Sequence, residues 1–67
     1  MIYLIVVKSN KILEALTDMD EAIEEARHYA SELGDIVVAD STTSRMLIVA
    51  ADGKVTDMDA NMRAIDR

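Results

Sequence analysis

The chain has 67 residues, a net charge of −6, and no cysteine, proline, tryptophan or phenylalanine. Without cysteine no disulfide can staple it and a thiolate zinc site is excluded. A chain this short buries only ~60% of its unfolded surface, so one small core must be built from Ile, Leu, Val, Met and Ala.

Ile2 to Val7 is an unbroken apolar run rich in β-branched residues and reads as a strand. The opening MIYLIVV is far below the ~20 residues of a membrane span. Its first charge, Lys8, follows the run instead of preceding it, so no targeting segment is read. With no cysteine the chain suits a reducing, cytoplasmic setting. Lys8-Ser9-Asn10-Lys11 is turn-like, and Ile12 to Leu16 resumes as a second strand of a hairpin.

The tetrapeptide TDMD follows at Thr17–Asp20 and recurs at Thr56–Asp59. At the first copy Asp18, or alternatively Thr17, is placed to cap a helix, with Glu21 three residues after Asp18 in a capping-box-like pattern. Asp20 and Glu21 then fall in the first turn, where the helix dipole favours negative charge. Ala22, Ile23, Ala26, Ala30 and Leu33 recur at helical spacing with Tyr29 beside them, and Gly34 is a natural stop. The spacing predicts a helix from Asp18 to Leu33.

Asp35 opens a third strand, Ile36 to Ala39, and Asp40 to Ser44 is a polar turn. Arg45 to Ala51 is a fourth strand, Asp52-Gly53 suits a tight hairpin, and Lys54-Val55-Thr56 is a short returning strand or an extended segment. The second TDMD opens the tail. Asp57 is placed as a cap, and Met58, Met62 and Ile65 form one apolar stripe of a short helix that is stable only when docked. The repeat therefore reads as punctuation, each copy standing where a hairpin gives way to a helix.

The expected fold is a single α+β domain over residues 1–67 in ββαββ(β)α order. An antiparallel sheet of four, possibly five, strands carries the long helix on one face, with a short C-terminal helix.

Candidate chemistry is sparse. Asp57-Met58-Asp59-Ala60-Asn61 matches the start of a calcium loop, but Met62 stands where glycine is needed and the closing glutamate is missing. His28 shares its helix with Glu24 and Glu32 at i±4, a spacing of surface charge pairs. Ser41-Thr42-Thr43-Ser44 has hydroxyls without an adjacent base. No metal site, cofactor or enzymatic activity is expected, because no base–nucleophile or metal constellation is present. Lys8, Lys11, Arg45 and Lys54 lack interleaved aromatic side chains, so direct nucleic-acid binding is not expected.

Charge is the strongest signal. Between Glu14 and Asp35 stand eight acids against one base, Arg27, a segment carrying −7. Such a field repels nucleic acid and membranes and attracts a basic surface. Asp18, Asp20, Glu21, Glu24, Glu25 and Glu32 are the candidate partner-binding residues. Carboxylates spaced along a helix mimic successive phosphates for a groove built to hold a DNA backbone.

In size, acidity and lack of catalytic residues the chain resembles the small inhibitors encoded by phages and mobile elements, anti-CRISPR proteins among them. The resemblance implies a non-enzymatic DNA mimic acting on a protein partner, and it assigns no individual residue. The alternative is a homo-oligomeric structural or adaptor module whose acids only keep it in solution.

The strands add a second expectation. They do not alternate apolar and polar as strands with one solvated face do. Both faces are apolar, and one long helix covers one; the other is left to the tail helix with Met58, Met62 and Ile65, to a second copy or to a partner. Tyr3, Ile5, Val7, Leu47 and Val49 are taken as the second face and as candidate self-association residues of a homodimer.

Overall fold

The computed structural model describes residues 1–58. Its elements are Ile2–Val6 (β1), Lys11–Leu16 (β2), Met19–Leu33 (α1), Ile36–Asp40 (β3), Arg45–Val49 (β4) and Val55–Asp57 (β5). The α+β class is as the sequence predicts, and the possible fifth strand is present. The short helix expected after Asp57 lies outside the described residues.

The five strands form one sheet in the order β2-β1-β3-β4-β5, with every neighbouring pair antiparallel. β1 lies between β2 and β3, so the β2–α1–β3 connection crosses over a strand already in place. β2 and β3 therefore run parallel to one another, each antiparallel to β1. A crossover of this kind needs a helix to span it, and α1 supplies that span.

Asp18 has extended backbone (φ −109°, ψ 125°), and its carboxylate accepts from the Asp20 N–H at 3.4 Å. The first helical bond closes from Ala22 N–H to Asp18 C=O at 2.9 Å. Gly34 ends the helix at φ 86°, ψ −161°, a region open essentially to glycine alone, and its N–H bonds Ala30 C=O at 3.0 Å.

The helix meets the sheet through Ala22, Ala26 and Ala30, all buried. Four-residue spacing puts these small side chains in one line, which brings the helix backbone close to the sheet. Below them lie Leu4, Ile36, Val38 and Val49, the largest fully buried side chains. Ile23 and Tyr29 pack at the margin of this core. Leu33, expected on the same apolar face, is 40% exposed because it ends the last turn.

Register corrects one sequence expectation. Residues directly opposite in an antiparallel pair share a face. Leu47 pairs with Val38 and Val49 with Ile36, while Val38 pairs with Leu4 and Ile36 with Val6. Leu47 and Val49 therefore lie under α1, at 4% and 0% exposure, and not on the second face. The residues of β4 on that face are Met46 and Ile48. Both sets in β4 are apolar, so only pairing through β3 tells them apart.

The turns also differ in length from the simplest reading. β4 stops at Val49, two residues earlier than expected. Ala51-Asp52-Gly53 then forms a three-residue loop, with Ala50 N–H bonded to Lys54 C=O at 2.9 Å and Gly53 at φ 89°. A left-handed glycine at the end of such a loop is a standard hairpin solution. Val7 falls outside β1, 51% exposed, although its N–H still bonds Asp35 C=O at 3.1 Å.

At the first TDMD copy Asp18 caps α1; at the second, Asp57 closes β5 directly before a helical Met58, and its carboxylate takes the Arg45 guanidinium at 3.3 Å across the β4–β5 ladder.

Candidate functional site

Two surfaces stand out, one on each side of the sheet. The first is the outward face of α1. Asp18, Asp20, Glu21, Glu24 and Glu32 are exposed, and Glu25 is half-buried. The single histidine, His28, is exposed on the same face, one turn after Glu24 and one turn before Glu32. At ~3.6 residues per turn, Glu21, Glu25 and Glu32 fall toward one flank of the helix, Glu24 rides its crest, and Asp20 falls toward the other flank.

Tyr29 fixes which flank faces which strand. Its hydroxyl donates to Glu14 Oε2 of β2 at 3.5 Å. The nearby Glu14 carboxylate, partial burial and the Glu25 carboxylate together push the Tyr29 phenol above its ordinary range, with Glu14 the largest influence. The acidic flank thus lies over the β2 edge, and Glu14 joins it. Sequence reading placed Glu14 inside a strand and did not group it with the helix acids. Its signal was present in the alternation of β2, but a bulge between Leu4 and Ile5 in the β1–β2 pairing shifts the faces there.

Arg27 is the one base of α1, and it points the other way. Its Nε donates to Gly53 C=O at 3.4 Å in the β4–β5 turn. Among the described residues, no ion pair involves an α1 carboxylate; the pair seen is Arg45–Asp57.

The second surface is the face of the sheet opposite α1. Pairing aligns its side chains in two rows that run across the strands. One row is Ile12, Ile5, Val37 and Ile48, ending on Thr56. The other is Ala15, Tyr3, Ala39 and Met46. Of the expected self-association residues, Tyr3 and Ile5 lie within these rows and Val7 follows them into the turn. No described element packs on this face.

Among the described residues there is no pocket, and no group of three His, Asp or Glu side chains able to hold a metal ion. Ser41 and Thr42 are engaged with the N-terminus: the Ser41 N–H and hydroxyl both donate to Met1 C=O, at 2.9 and 3.0 Å, and the Met1 ammonium donates to both hydroxyls. No described helix is long and apolar enough to cross a membrane. No protein-family model matches the chain, and no curated protein and no solved structure matches it.

Proposed function

We propose that the chain is a non-enzymatic interaction protein whose acidic helix face occupies a basic, nucleic-acid-binding surface on a protein partner. In this reading it is an inhibitor of the kind carried by phages and mobile elements, anti-CRISPR proteins included, and it works in the cytoplasm. The observation that supports it is the uncompensated charge of α1. Its exposed carboxylates have no ion-pair partner among the described residues, while its one base is turned aside to Gly53.

The arrangement suits electrostatic mimicry. Fifteen residues of α1 make a rod ~22 Å long, with Glu21 and Glu25 ~6 Å apart along it and Glu32 ~10 Å further on. The rod is seated on the sheet by its alanine line, so the charges are held in place before a partner arrives. Glu14 extends the negative surface from the helix onto β2. A groove that holds a phosphate backbone with Lys and Arg meets similar charge here without any base to read.

The test is capture of partners on the immobilised chain at low and high salt, followed by competition with duplex DNA and with a Glu24→Lys/Glu25→Lys variant. The reading expects a partner that is released by salt, displaced by DNA and bound at least ~10-fold more weakly by the double variant, a loss of ~1.4 kcal/mol or more. Binding that ignores salt, or that survives the charge reversal unchanged, overturns it.

A further inference from the structure

We propose that the open face of the sheet is the interface of a twofold dimer, so that its occupant is a second copy of this chain. The proposal does not depend on the acidic helix having a partner.

The first argument is relief. Tyr3 lies directly opposite Ala15 on one side and Ala39 on the other. A tall ring therefore stands between two shallow hollows. A twofold axis brings a surface against itself, so it favours a face that carries both a projection and a hollow to receive it. The neighbouring row, led by Ile5 and Val37, is level and aliphatic and suits sheet-on-sheet packing at ~10 Å.

The second argument is charge. A chain of net charge −6 is repelled by its own copies over most of its surface. The two rows contain no charged side chain, and the α1 acids lie on the opposite layer. Stacked sheets ~10 Å apart, each with a helix ~10 Å across outside it, place the acidic faces ~30 Å apart. That is about three screening lengths at 0.1 M salt, so a face-to-face pair avoids the repulsion that other arrangements incur.

The third argument is area. Four strands at ~4.8 Å spacing and five residues at ~3.3 Å rise outline roughly 300 Å² in plan on each copy. Two such faces outline ~600 Å² in plan before side-chain relief, the scale of a weak, reversible interface. A patch of this size, with no described cover, is at the scale of the largest that a monomer ordinarily shows to water, and such patches are often functional. The sheet edges are poorer routes to association: β2 carries a bulge and Lys11, and β5 has three residues.

Sedimentation equilibrium of the full chain at micromolar concentration tests the proposal, with circular dichroism to report folding. The expected result is twice the 7.4 kDa chain mass. Ile5→Lys and Ile12→Lys should remain folded and weaken the dimer at least ~10-fold, even though each lowers the net negative charge. Ile12 is 60% exposed on an edge strand, so that variant reports even if Ile5→Lys does not fold. Glu24→Lys should leave the dimer intact, which separates this interface from the helix reading. A wild-type chain of single mass up to hundreds of micromolar overturns the proposal, whether residues 59–67 or a different protein cover the face. A folded Ile12→Lys variant that dimerises as tightly as wild type overturns it too.

Discussion

On one side of the sheet, α1 turns Asp20, Glu21, Glu24 and Glu32 to solvent; on the other, Tyr3, Ile5, Val37 and Ile48 form uncharged rows with no described cover. A small chain has little surface to divide, and here the division is nearly complete. Segregation has a physical consequence. Charge on one layer is far enough from the opposite face that the apolar face keeps a neutral environment. The two layers can then be altered independently, and that independence can be tested.

The largest effect should come from two neighbours in one strand. Val38 is fully buried under α1, and Val37 lies on the open face. Val38→Lys places an unpaired charge in a dry core at a cost above ~4 kcal/mol, comparable with the whole stability of a domain this small. It should be unfolded by circular dichroism. Val37→Lys should keep the fold, because its ammonium reaches water, and should lose the dimer mass on sedimentation. Equal outcomes at the two positions would mean that the second face is as enclosed as the first.

Next in size are changes where the helix meets the sheet. Ala26→Leu should destabilise by ~1–3 kcal/mol in urea unfolding, because the alanine line leaves no room for a larger side chain. Ala39→Leu, in a hollow of the open face, should change monomer stability by no more than ~0.5 kcal/mol. Gly34→Ala should cost ~1–3 kcal/mol even though nothing lies within 4 Å of the added methyl, since the penalty comes from φ 86°, ψ −161°.

Asp18→Ala should cost ~1 kcal/mol through loss of the helix cap. The same change at Asp57 removes at least the exposed pair with Arg45, which alone is worth ~0–1 kcal/mol. Urea unfolding of the two variants checks whether the identical tetrapeptides contribute equally.

The smallest effect concerns the β2 flank of the acidic surface. Tyr29 holds its proton more tightly in the folded chain than in the unfolded one, chiefly because Glu14 is close. Its contribution to stability is therefore complete below the ordinary phenol range near pH 10 and is lost as pH rises through the raised value. Glu14→Gln should move the phenolate absorbance midpoint down toward ~10. An unmoved midpoint would detach Glu14 from the helix acids and shrink the proposed binding surface to α1 alone.

Local chemistry made much of this molecule legible in the sequence. Asp18 as a cap and Gly34 as a stop are backbone requirements that few residues satisfy, so α1 could be bounded without its surroundings. The β-branched runs at Ile2–Val7 and Ile36–Ala39 declared strands, and Asp52-Gly53 declared a turn. The acidity of α1 is a matter of counting. The doubly apolar strands announced that one helix would not cover the sheet. What only the tertiary structure decided is how those strands are ordered and registered. Leu47 and Val49 differ from Met46 and Ile48 in nothing that periodicity reads; pairing with Val38 and Ile36 sends them beneath the helix. The β1–β2 bulge likewise turns Glu14 toward Tyr29. Local propensity depends on each residue and its near neighbours along the chain, whereas a strand's face depends on cross-strand partners: Leu47 takes its face from Val38, and Val38 takes its own from Leu4, which comes beside it only when the β2–α1–β3 crossover closes over β1.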